Sequence, residues 1–144
     1  MSYGAGKKGM SDETHIITEH IHSASMVYPT LAAGVAVAGG AGAWALSANF
    51  VEVIPASAIT SPFDIHFINL ENASAADTYE LVLYAVTTEI GRIRFTVKDI
   101  ANARILPSFP FLMVIVDKNT QIQAKLASSS GGDTATLSVF YHIY

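Results

Sequence analysis

The chain has 144 residues, with 8 basic and 12 acidic side chains, a net charge of −4 and no cysteine. This length fits one domain, able to bury about two thirds of its unfolded surface without disulfide or cysteine–zinc staples. The basic residues are dispersed apart from Lys7-Lys8 and Arg92 with Arg94, so the clustered positive surface that nucleic acid requires is missing.

Charged residues make up only 14% of the chain and hydrophobic ones 51%, whereas an ordinary solvated domain carries about a quarter charged residues. Either the surface is largely Ser, Thr, Asn and Ala, or other chains cover part of it. Coverage by other chains is the expectation.

Residues 1–30 are expected to form an N-terminal arm and 31–144 a β-sandwich domain. Met1–Met10 carries two lysines with no apolar run behind them, so it does not read as a signal peptide. Gly4-Ala-Gly-Lys-Lys-Gly9 matches G-x-G-x-x-G, but a dinucleotide site needs a preceding strand. Ser11 to Met26 suits either a short helix capped by Ser11, or an extended segment docked on a neighbour. His20-Ile-His22 has a spacing that can chelate Zn or Ni from one strand face, with His15 nearby. No acidic third ligand is fixed in register, so a polar face or subunit contact is expected there and no metal is assigned.

Ser23 to Val51 has no formal charge, which raises the question of a membrane span. Pro29 and the glycines at 34, 39, 40 and 42 disfavour a helix, each Gly by about 1 kcal/mol relative to Ala, and strongly apolar residues are few. No membrane is expected. The run divides instead into a strand over Gly34–Ala38, a turn over Gly39–Gly42 and a strand over Ala43–Ser47. Gly40, Gly42 and Ala45 imitate a dinucleotide fingerprint, but the next segment reads as strand rather than helix. A structural turn is expected and no cofactor.

Asn49–Ile54 reads as a short strand closed by Pro55. Phe63–Glu71 follows, with Phe63, Ile65 and Phe67 on one face and Asp64 and His66 on the other. Asn72–Asp77 reads as a loop, and Asn72-Ala-Ser74 fits a glycosylation acceptor by pattern alone. A hairpin is then expected, with Tyr79 opposite Val97, Leu81 opposite Phe95 and Leu83 opposite Ile93. Its outer face pairs Tyr84 with Arg92 and Val82 with Arg94, places Glu80 diagonal to Arg94, and leaves Thr87–Glu89 as the loop.

Lys98–Phe111 reads as irregular, because Pro107 and Pro110 exclude a central strand. Leu112–Val116 is wholly apolar and is expected as a mid-sheet strand covered on both faces. In the last quarter Ile122, Ala124 and Leu126 alternate with Gln121, Gln123 and Lys125. Beyond the turn at Ala127–Asp133, Ala135, Leu137, Val139, Tyr141 and Ile143 alternate with Thr134, Thr136, Ser138 and His142. The fold class is therefore all-β, a single jelly-roll-like antiparallel sandwich of about eight strands.

Chemistry-bearing residues are sparse. His66 and His142 fall on wet strand faces, no G-x-S-x-G elbow accompanies them, and Glu71, Asp77, Glu80 and Glu89 read as loop or outer-face residues. No catalytic residue is assigned and no enzyme is expected. Trp44 and the tyrosines would suit a sugar platform, but Tyr79 is expected in the core and Tyr141 and Tyr144 at the close of the last strand.

At Phe63-Asp-Ile-His-Phe-Ile68, Asp77-Thr-Tyr-Glu-Leu-Val-Leu-Tyr84, Ile90-Gly-Arg-Ile-Arg-Phe95 and Ile122–His142, the chain resembles small tailed-bacteriophage virion proteins. These are the jelly-roll decoration, or cement, proteins of the capsid exterior. The likeness spans about Asn49 to Tyr144 and rests on strand texture and the closing Tyr141-His-Ile-Tyr144. It implies a homotrimer that bridges capsomers, touches the major capsid protein through an arm or sheet edge, and has no catalytic residues. The alternative is a receptor- or carbohydrate-binding module of a phage tail or fibre, which would carry exposed aromatics on loops at one end.

Overall fold

The computed structural model describes residues 24–98 and 106–144. Nine strands lie among them: β1 (Met26–Tyr28), β2 (Val35–Ala38), β3 (Val51–Ile54), β4 (Phe63–Ala73), β5 (Asp77–Ala85), β6 (Thr88–Val97), β7 (Ser108–Pro110), β8 (Ile122–Ser128) and β9 (Thr134–Ile143). Among the described residues there is no helix long and apolar enough to cross a membrane.

The pairing follows one rule. β5 pairs with β6, β4 with β7, β3 with β8 and β2 with β9, all antiparallel. This is a long two-stranded ribbon with the β5–β6 hairpin at its tip. Rolling the ribbon sets β4 beside β9 and β5 beside β8. Two sheets result, one running β1/β2–β9–β4–β7 and the other β3–β8–β5–β6. The arrangement is a jelly-roll sandwich, as the alternating sequence pattern predicts.

Between the sheets lie Val37, Ile65, Ile68, Leu70, Leu137 and Val139 from the first, and Ile54, Leu81, Leu83, Ile122 and Leu126 from the second. Tyr79 is fully buried, as expected. Its hydroxyl donates to the Ala75 carbonyl at 2.6 Å and its ring stacks on Phe95, so the polar end is satisfied while the ring fills the core. The turn after β8 crosses from the second sheet to the first rather than closing a hairpin. β1 and β2 line the same edge of β9, so Met26–Tyr28, read from sequence as arm, add a strand to the sandwich. Residues 1–23, including the Ser11 segment, lie outside the described residues.

Four local expectations need correction. The β5–β6 register differs by two residues: Tyr79 faces Phe95, Leu81 faces Ile93 and Leu83 faces Gly91. The loop is the two-residue Val86-Thr87, with Val86 at φ 58°. That conformation is unfavourable for a β-branched residue, and it is held by Val86 N–H donating to Gln121 and Gln123 Nε2 donating to the Val86 carbonyl. Because the shift is even, every side chain keeps its face.

The second correction concerns Phe67. A β-bulge between Ile65 and Phe67 opposes His66 to no single partner on β9. The alternation therefore resets: Phe67 turns outward, 42% exposed, and Ile68 takes the core position. Third, Ala43–Ser47 is not a strand. Gly40 and Ala45 close a tight turn, Trp44 sits at φ 57°, and the segment reaches β8 through Trp44 N–H to Ser128 and Ser47 N–H to Leu126 rather than through a ladder.

The fourth is the largest. Leu112–Val116 is not a buried central strand, and Leu112, Val114 and Ile115 are 91%, 71% and 52% exposed. Pro110 ends β7, and beyond it the chain keeps Phe111 N–H on the His66 carbonyl and pairs with β4 again at the isolated Phe63–Val116 bridge. Between these points Phe111 and Val116 are buried and Met113 partly so, its sulfur accepting the Ile65 N–H. The remaining apolar side chains face away from the sandwich.

Candidate interaction face and an aspartate–histidine cluster

The outer face of the first sheet combines the two features most unlike an ordinary protein surface. One is apolar. Met26 and Val27 of β1, Phe67 of β4, Phe140 of β9 and Ser108 of β7 line a depression of about 530 Å³. Phe67 also borders a second depression of about 370 Å³, shared with Phe111, Leu112, Met113, Asp64, His66 and Tyr144. Through Phe67 the apolar surface therefore runs from β1 to Leu112 and Met113. The Phe67 bulge supplies its centre.

The other feature is polar. Asp64 and His142 are direct cross-strand partners on β4 and β9, and alternation turns both outward. His66, two residues along β4, shares that face by the same alternation. His66 Nε2 lies 2.9 Å from Asp64 Oδ1, and the His66 and His142 ring centroids are 4.0 Å apart. One ligand atom from each of the three residues falls within 4.8 Å of the others. The Tyr144 hydroxyl donates to Asp64 at 3.2 Å, and Ser25 Oγ meets His142 Nε2 at 3.0 Å. Burial and the adjacent Asp64 charge raise the Tyr144 hydroxyl above its ordinary pKa, which keeps it a donor.

His66 and His142, placed on wet faces by alternation, are thus brought together, and Asp64 joins them. Sequence reasoning missed the trio because the β4–β9 register is non-local. The Asp64-x-His66 spacing on a wet face was the available signal. His20 and His22, the pair with chelating spacing, lie outside the described residues.

The acidic residues considered for catalysis have structural partners. Glu71 accepts the Gly34 N–H, and Asp77 accepts from Thr78 N–H, Ser130 N–H and the Ser129 hydroxyl. The Ser129 hydrogen bond leads the causes that hold the Asp77 carboxyl well below the usual range. Glu80 bonds Arg94 and Arg92, and both it and Glu89 are lowered chiefly by hydrogen bonds from these arginines. Gly40, of the dinucleotide-like run, donates its N–H to the Ala45 carbonyl and accepts from Gly132 N–H, so its own N–H is committed to the turn.

On the opposite sheet the exposed aromatics carry cations. Arg94 lies 4.4 Å over the Trp44 ring and Lys125 lies 4.5 Å over Phe50, which also meets Tyr84 edge-on. No protein-family model, curated protein or solved structure matches this chain.

Proposed function

We propose that the chain is a non-enzymatic virion structural protein, a capsid decoration protein that associates as a homotrimer and binds the major capsid protein on the capsid exterior. The observation that carries this reading is the apolar surface that runs from Met26 and Val27 through Phe67 to Leu112, with Val114 and Ile115 exposed on the same segment. Scattered exposed apolar residues are ordinary, but a connected patch marks a contact surface. The low charge of the whole chain points the same way, since subunit interfaces exclude charge from their centres.

The occupant of this face is another copy of the chain. The jelly roll is shared by viral capsid and lectin domains, so fold alone does not decide between assembly and sugar binding. The aromatic surfaces favour assembly. Sugars stack on open ring faces, and cations already lie over Trp44 and Phe50.

Light scattering on the full chain tests the proposal. A trimer mass is expected, with dissociation in the double variant Leu112→Asp, Val114→Asp and an unchanged β-type circular dichroism spectrum. A wild-type monomer would remove the homotrimer, and a trimer unaffected by the double variant would move the interface elsewhere.

A further inference from the structure

We propose that Asp64, His66 and His142 form a binding site for a divalent transition ion, with Zn²⁺ the ion that this donor set suits best. Two imidazoles and one carboxylate are borderline donors that zinc accepts, at about 2.0–2.1 Å for nitrogen and about 2.0–2.2 Å for oxygen. Ligand atoms within 4.8 Å of one another reach a common ion by small rotations of the side chains. This site goes beyond the assembly reading and does not depend on it.

The backbone sets the geometry before any ion arrives. Asp64 and His142 are held face to face by the β4–β9 ladder, and His66 is the extra residue of a bulge. Bulges re-aim side chains next to functional sites. Here, beside the bulge, an imidazole lies 2.9 Å from the carboxylate and against the second ring. The side chains of Asp64 and His66 are 14% and 31% exposed, so the charges meet in a partly desolvated setting where ion–ligand attraction is strengthened.

Outer partners complete the arrangement. A ligating carboxylate is usually hydrogen-bonded by a further residue, and a ligating imidazole is oriented through its other contacts. Tyr144 donates to Asp64, and Ser25 contacts His142. Three protein ligands leave a coordination position for solvent, and the depression beside Asp64 and His66 gives it access. Binding replaces the Asp64–His66 hydrogen bond: zinc takes the nitrogen lone pair and the carboxylate oxygen, and any proton shared there passes to solvent.

The test uses the full chain, stripped with EDTA and titrated with zinc chloride in a calorimeter. Cobalt chloride in parallel reads coordination through its visible absorption. One ion per chain is expected, with affinity at least about tenfold weaker in His66→Ala and in Asp64→Asn, and reduced in Tyr144→Phe. His20→Ala with His22→Ala should leave it unchanged. Absence of stoichiometric binding would overturn the proposal. So would binding retained in His66→Ala and Asp64→Asn, or lost only in the His20/His22 variant. The His66 and Asp64 changes are the deciding ones because both side chains lie outside the core, and circular dichroism confirms that each variant is folded.

Discussion

Ser47 and Leu126 exchange backbone and side-chain hydrogen bonds at a point where the two sheets meet. Ser47 N–H donates to the Leu126 carbonyl at 3.0 Å, and Leu126 N–H donates to Ser47 Oγ at 3.0 Å. The same hydroxyl donates to the Ala38 carbonyl of β2 at 2.5 Å. One buried side chain thus ties β2 of one sheet to β8 of the other. Ser47→Ala leaves a buried donor and acceptor without this partner, so a loss of about 1–3 kcal/mol is expected. Urea denaturation should show a lower midpoint at unchanged slope.

Gly131 and Gly132 provide a matched pair. Both sit at positive φ, 83° and 76°, but only at Gly131 would a Cβ meet backbone, 2.4 Å from the Ala41 carbonyl oxygen. Gly132→Ala is expected to cost about 1–2 kcal/mol, the left-handed penalty alone. Gly131→Ala must also push the 41–42 loop away and should cost roughly 3 kcal/mol or more. Thermal melts of the two variants in parallel would read the difference.

Acid should weaken the fold through Asp77 and Glu80. Both carboxyls are depressed in the folded protein, so the unfolded chain takes up protons first as pH falls. Their contribution is fully present above the ordinary carboxylate range of about 4 and is lost as pH drops through the lower folded values. Asp77→Asn is therefore expected to flatten the decline of unfolding free energy below about pH 4. Denaturant midpoints from pH 7 to pH 2 would test this, and an unchanged slope would exclude Asp77 as a contributor.

Arg94 is expected to report through the single tryptophan. It lies over Trp44 and bonds Glu80. Arg94→Ala should cost about 1 kcal/mol, since exposed cation–π contacts and surface ion pairs are each worth no more than that. Trp44 emission should shift and become easier for iodide to quench, whereas Arg92→Ala should leave that emission unchanged.

The strands whose faces differ sharply were legible in the residues. The first halves of β8 and β9 alternate as expected, because each buries one face against the opposite sheet, but Ser138, read as wet, is buried. The start of β4 was legible as far as Ile65, but a bulge at His66 leaves no composition signal, and Phe67 shows only afterwards that the period has slipped. Leu112–Val116 misled for a different reason. Hydropathy reports a preference for cover but not who provides it, and here the sandwich covers only Phe111, Val116 and part of Met113. The hairpin's faces were legible but its register was not, since a two-residue shift preserves alternation and the Val86-Thr87 turn lacks the glycine that usually marks one. The Asp64–His142 contact depended on such a long-range register and stayed hidden with it.

The nested ribbon also orders events in time. The β5–β6 tip joins neighbours in the chain, whereas Val35 of β2 waits for Leu137 of β9, about a hundred residues of loop closure away. A nascent chain leaving the ribosome would carry β2 and β3 without their mates through most of synthesis. Those two strands are short, four residues each, and short unpaired edges offer little template for wrong partners. Their brevity is expected to limit mispairing during that interval.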